Sequence, residues 1–191
     1  MSSMTIKELE NSFWTITMTL LGYDTTDTTL QDKVRMDWPT QGQPAFDVDE
    51  DVIFLKVLPF DDNYNRIRDM SYKVSDSSDT TLVETYSYTR VIGVTWVCYG
   101  PNSNTNAQII RNKMFYDTFN AGMELLDSYG LYLVSDIKEP TRIPEEFNNL
   151  WWERTDLSMQ FNYLVSDDVE VPSVNSVPVE VNGEDFIIEV D

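Results

Sequence analysis

Three short stretches of this chain hold residue types that could do chemistry. The first is "VIGVTWVCYGPNSNTNAQIIRNKMF" at residues 91–115, where a β-rich run stops at Tyr99-Gly100-Pro101 and a helical pattern begins. Strand, glycine loop and helix is how phosphate sites are built, because helix N-terminal N–H groups attract anions. The spacing rejects that reading. A P-loop needs Gly, four residues, then Gly-Lys-Ser/Thr; counted from Gly100, those positions hold Thr105, Asn106 and Ala107. Gly-x-Gly-x-x-Gly fails as well, since Gly100 stands alone. What remains is turn chemistry: Gly100-Pro101, then Asn102, Ser103 and Asn104, each able to cap a helix.

The second stretch is "DVDEDV" at 47–52. Asp47, Asp49 and Asp51 match the first three EF-hand ligand positions, but the required Gly is Val52 and the closing Glu is Leu58. A solvated acidic turn is the expectation. The third is Glu145-Glu146 beside Trp151-Trp152, which resembles a sugar cleft with paired carboxylates. With 33 acidic residues in the chain, carboxylates are too abundant for such a pair to be a signal. A loop whose aromatics anchor it to the body or to another subunit is the preferred reading. Glu145→Gln and Glu146→Gln would dispose of a carboxylate-dependent hydrolase.

The chain has no histidine and one cysteine, Cys98. That removes the usual general base and zinc ligand, every Ser-His or Cys-His pair, an intrachain disulfide and a thiol-rich metal site. Cys98, inside a β-rich run, reads as a small core residue. No catalytic, cofactor-binding or metal-ligating residue is assigned, and no cofactor or enzymatic activity is expected.

The elements that carry these stretches follow from periodicity. Thr5-Ile6-Lys7-Glu8 fits a capping box, and Ile6, Leu9, Phe13, Ile16 and Leu20 then draw one apolar stripe to a stop at Gly22. Trp14, Met18 and Leu21 form a second apolar edge, either a wide core face or a subunit contact. Residues 23–51 are turn-rich, 51–60 a short β-like run, and 61–81 a long loop or excursion without clean period. Glu84–Tyr99 is one long strand or two short ones, rich in Thr, Tyr, Val, Ile and Trp. A second long helix is expected from about Asn104 to Tyr129, closed by Gly130, with β pattern resuming at 131–137 and a loop at 138–152. Leu157, Met159, Phe161 and Tyr163 alternate with Asp156, Ser158, Gln160 and Asn162, the mark of a half-buried antiparallel strand.

From residue 166 prolines 172 and 178 interrupt the chain, and Asn182-Gly183 between β-prone runs is a hairpin signal. The expectation is therefore an α+β fold: an antiparallel β-sheet flanked by two long helices in a domain of residues 1–165, with an extended C-terminal arm at 166–191 carrying a small hairpin.

Net charge is −20, from 33 acidic and 13 basic residues. This argues against sequence-reading DNA contacts, which need Arg and Lys against phosphate, but an acidic wall would keep passing DNA from sticking. No basic region precedes an apolar run at the N-terminus, and no apolar segment approaches the roughly 20 residues that span a bilayer. A soluble, intracellular protein with no membrane partner is expected.

The order strand, "VCYGPNSNTNA", long helix, "GLYLVSDIKEPTRIPEEFNNLWWERTDLSMQFNY" resembles the phage neck or tail-terminator (tail-completion) family. Tyr99-Gly100 ends the strand, Asn106-Ala107 starts the helix, and Glu153-Arg154 precedes the regular strand. The resemblance is firmest over residues 84–165. It implies a structural virion protein at the neck, assembled in the host cytoplasm as a hexameric ring. Such a ring caps the tail tube, meets the tail tube protein on one side and the head-closure or connector protein on the other, and lets DNA pass without specific binding. A head-closure or tail-tube subunit of the same stack, and an acidic module engaging a basic partner through 47–51 and 61–79, are the alternatives.

Overall fold

Thr5 opens the first helix, α1 (Ile6–Leu21), through a complete capping box: its hydroxyl accepts from Glu8 N at 3.2 Å while the Glu8 carboxylate accepts from Thr5 N at 2.7 Å. Gly22 closes the helix at φ 76°, a left-handed conformation suited to glycine. Leu9, Phe13, Ile16 and Leu20 are buried as the stripe predicts, whereas Ile6 is 37% exposed. The second edge also finds its partner within the chain: Met18 is fully buried, and Trp14 Nε1 donates to the carbonyl of Val34 at 2.9 Å.

The computed structural model describes residues 4–37, 42, 44–75, 78–115, 121–172, 176–181 and 184–189. After α1 come a single turn α2 (Thr28–Gln31), β1 (Val34–Met36), β2 (Val52–Pro59), a 3-10 turn (Asn63–Arg66) and β3 (Asp69–Ser75). The long β4 (Ser78–Tyr99) leads to α3 (Ser103–Phe115) and α4 (Ala121–Ser128). Short strands β5 (Leu131–Leu133), β6 (Thr141–Arg142), β7 (Glu145–Phe147) and β8 (Leu150–Trp152) precede the long β9 (Arg154–Pro172). The last elements are β10 (Ser176–Val181) and β11 (Glu184–Glu189).

The main sheet runs β1-β2-β4-β9-β5, with β3 added to β4 and β6 to β9. Among the described residues only β1–β2 is parallel, so the fold is α+β around a mostly antiparallel sheet. Pairing puts Ile53, Leu55 and Val57 of β2 on one face with Ile92, Val94, Trp96 and Cys98 of β4, and with Leu157, Met159 and Phe161 of β9. All are buried, and α1, α3 and α4 cover this face. Phe13 of α1 meets Phe161 at 4.8 Å between ring centres.

Several elements differ from the sequence expectation. The second long helix is two shorter ones. A Cβ on Gly122 would stand 2.5 Å from the carbonyl oxygen of Lys113, yet residues nine apart in one helix are separated by about 13 Å along its axis. The chain therefore folds back between α3 and α4; residues 116–120 lie outside the described residues. The 61–81 excursion contains β3, a seven-residue strand paired with β4. Residues 138–152 contain β6 and the hairpin β7–β8. Residues 166–172, expected within an extended arm, continue β9 and pair with Ser87–Thr81 of β4. Asn182-Gly183 lies outside the described residues, but the flanking β10 and β11 do pair antiparallel, with Val181 opposite Glu184.

Candidate functional site

At the strand–helix joint the place of an anion is taken by the protein itself. The Asp51 carboxylate accepts from the backbone N–H of Asn102 at 2.9 Å and from Asn102 Nδ2 at 2.8 Å, just before α3. Gly100 lies at φ 99°, and a Cβ there would fall 2.5 Å from Glu50 O and 2.7 Å from Asp51 Oδ1. The glycine thus lets the acidic turn close against the helix start. Asp47 accepts a turn bond from Glu50 N at 3.0 Å through its carbonyl, while Asp47 and Asp49 are exposed. The three aspartates serve different ends. Among the described residues no group of three His, Cys, Asp or Glu side chains could hold a metal ion.

The face of the sheet away from the helices is open. It forms the floor of a groove of about 1140 Å³, lined by Phe54, Lys56 and Leu58 of β2, Thr95, Val97 and Tyr99 of β4, and Arg154, Asp156 and Ser158 of β9. At one end Phe46, Phe54, Tyr99 and Trp152 form an aromatic cluster, with ring centres 5.3–6.4 Å apart. Trp152 thereby fixes the β7–β8 hairpin to the body. Beside it Arg154 forks onto Asp156 with two bonds of 2.7 Å and reaches Glu145 at 3.0 Å. Tyr99 donates its hydroxyl to the other oxygen of Glu145. Burial, then the Glu145 bond, pushes Tyr99 up to about 12, and the Asp156 hydrogen bond raises Arg154 further above its usual range. This is a closed network of satisfied charges, which positions a hairpin and leaves no group poised to react.

Adjacent residues of a strand point to opposite sides, so Glu145 and Glu146 do not form a pair. Glu145 joins the network, while Glu146 is exposed and lies opposite Trp151. Tyr99 and Arg154 entered the sequence reading as motif positions and Asp156 as a polar-face residue, but not as partners in one network, although the period-2 pattern that gave Asp156 a polar face places Arg154 on it too. Cys98 is fully buried, and burial pushes its thiol up to about 12.

What the molecule does offer is apolar surface on projecting elements. The β7–β8 turn is made by Asn148 and Asn149, both at positive φ (52° and 59°), the conformation of a tight hairpin turn. Its flanks expose Phe147 (62%), Leu150 and Trp151 (67%). At the other extreme, β3, the first half of β4 and the end of β9 form a three-stranded ribbon beyond the helices. Met70, Tyr72 and Val74 are each 55% exposed on it. Among the described residues no helix is long and apolar enough to cross a membrane.

A search of curated proteins finds no match to the chain. A family described as phage neck terminator protein matches residues 7–185, which takes in the helices, the whole sheet, the ribbon and most of the final hairpin. The chain belongs to the phage neck terminator protein family, and it is a structural protein of the bacteriophage neck.

Proposed function

We propose that the protein is a tail terminator acting by assembly and not by catalysis. Copies close into a hexameric ring that caps the last ring of the tail tube, halts its growth and joins the tail to the head connector. The observation that supports this reading is the placing of exposed apolar side chains. The core is complete without them, yet Phe147, Leu150 and Trp151 cluster at one hairpin and Met70, Tyr72 and Val74 along one ribbon. Exposed apolar clusters on a monomer mark contacts with other chains. Residues 1–165 form the body in this scheme together with the end of β9, and the chain beyond Pro172 reaches a neighbouring subunit or ring. The surplus of 20 negative charges suits a lumen through which DNA slides without adhering.

The test is direct. Purified protein is mixed with tail tubes and imaged by negative stain, with rings at tube ends as the expected result; bare ends would sink the reading. Trp151→Asp, on an exposed side chain, should keep the fold and lose capping. In phage lacking the protein, over-long tails are expected, whereas normal tails with leaking heads would make it a head-closure subunit.

A further inference from the structure

The ribbon has two unlike faces. Register places Met70, Tyr72 and Val74 of β3 beside Tyr86, Glu84 and Leu82 of β4, and these beside Asp167, Val169 and Val171 of β9. Tyr86 is 42% and Val169 45% exposed, so a largely apolar face stands open to solvent. Its one well-covered acid, Glu84, accepts from the Tyr72 hydroxyl at 2.7 Å and is satisfied. The opposite face carries Asp69, Ser71 and Lys73, then Val83, Thr85 and Ser87, then Ser166, Asp168 and Glu170, so Val83 is the one apolar residue among them. The ribbon is therefore amphipathic along its length, like half of a two-layer sandwich.

The chain also carries a second half. Hairpin β10–β11 is a two-stranded sheet whose ladder, among the described residues, joins only its own strands. Register places Val177, Val179 and Val181 on one face with Ile188, Phe186 and Glu184; the other face carries the acids Glu180, Asp185 and Glu189 along with Ser176, Pro178 and Ile187. A lone hairpin is marginal in water. It starts four residues after Pro172, which pairs with Thr81 near the ribbon's far end. In the single chain Met70, Tyr72 and Val74 are each more than half exposed.

We propose that the C-terminal hairpin of one copy packs its valine, Phe186 and Ile188 face onto the Met70–Tyr72–Val74 face of a second copy. Both apolar faces turn inward in this arrangement. The acidic faces turn outward, one on each side of a sandwich about 10 Å between layers. Six-residue strands are about 20 Å long, which matches the extent of β3. The contact joins two different patches, hairpin to ribbon, and a head-to-tail contact of this kind generates a closed ring when its rotation closes. The inference rests on the ring reading above and supplies its subunit joint.

The experiment uses two single variants of the full chain, Val74→Cys and Phe186→Cys, mixed under oxidising conditions with and without tail tubes, and a third chain that carries both substitutions. Cys98, fully buried, stays out of the exchange. A disulfide-linked heterodimer on mixing is expected, and Phe186→Asp with Ile188→Asp should shift the sedimenting species to monomer without changing the melting temperature. Absence of the heterodimer overturns the proposal, as does an internal disulfide in the double-cysteine chain without cross-linking between chains. Rings at tube ends with no cross-link would overturn this joint alone; neither rings nor cross-link would overturn the assembly reading with it.

Discussion

Gly100 holds the joint between β4 and α3 by having no side chain. At φ 99°, with backbone of residues 50 and 51 within 3 Å of where a Cβ would stand, Gly100→Ala should cost about 1–3 kcal/mol for the conformation alone, read as a drop in melting temperature. A second residue-scale test lies in the core. Trp96 Nε1 donates to Thr17 Oγ1 at 2.9 Å, and both residues are fully buried. Thr17→Val leaves the indole N–H without a partner and should cost about 1–3 kcal/mol, whereas Thr17→Ser keeps the acceptor and should recover most of it. Titration gives a third. Cys98 and Tyr99 ionise near 9.0 and 10.0 in the unfolded chain and near 12 when folded. Their folded values are raised, so their contribution is complete below pH 9 and lost as pH climbs from about 9 to about 12. Urea midpoints across that range should fall, and Tyr99→Phe should flatten part of the fall. Cys98 and the absence of histidine were legible because a single residue type decides them. The role of Asp51 was not, since nothing local to "DVDEDV" says that a helix 51 residues later will need its carboxylate.

Elements were legible where one period dominates. Strand β9 alternates strictly from Leu157 to Tyr163 and is buried on that side, and α1 has a capping box, a stripe and a glycine stop. Strand β3 was missed because its alternating Met70, Tyr72 and Val74 are set among Asp, Ser and Lys with no core behind them. The break between α3 and α4 was missed because apolar residues on both sides keep helical spacing, and only the packing of Gly122 on Lys113 reveals the reversal. The hairpin β7–β8 depends on two asparagines that tolerate positive φ, a choice hidden inside a proline-containing loop. Left-handed backbone costs residues other than Gly, Asn and Asp about 1–2 kcal/mol. Asn149→Ala should therefore loosen the hairpin by about 1 kcal/mol and Asn149→Gly should not, with amide exchange of residues 145–152 as the readout.

For the molecule as a whole, charge and apolar surface pull in opposite directions. Copies bearing 20 net negative charges repel at low ionic strength, and salt shortens that repulsion to about 8 Å at 0.15 M. Apolar contacts are not weakened in the same way. Self-association should thus strengthen between about 10 mM and about 150 mM NaCl, over which the screening length falls from about 30 Å to about 8 Å, as measured by sedimentation; weakening would mean that ion pairs hold the assembly. The acidic composition made this legible from the start, while the surfaces concerned became visible only with the fold. The ladder between β4 and β9 runs unbroken through nineteen residue pairs, from Thr81 opposite Pro172 to Tyr99 opposite Arg154. Mechanically it is a strap. Tension applied along its length loads the whole row of backbone bonds together in shear, whereas tension across one end peels them in turn. Force spectroscopy with handles at positions 99 and 172 should yield at clearly higher force than with handles at 81 and 172, which would suit the ribbon to carrying load between subunits.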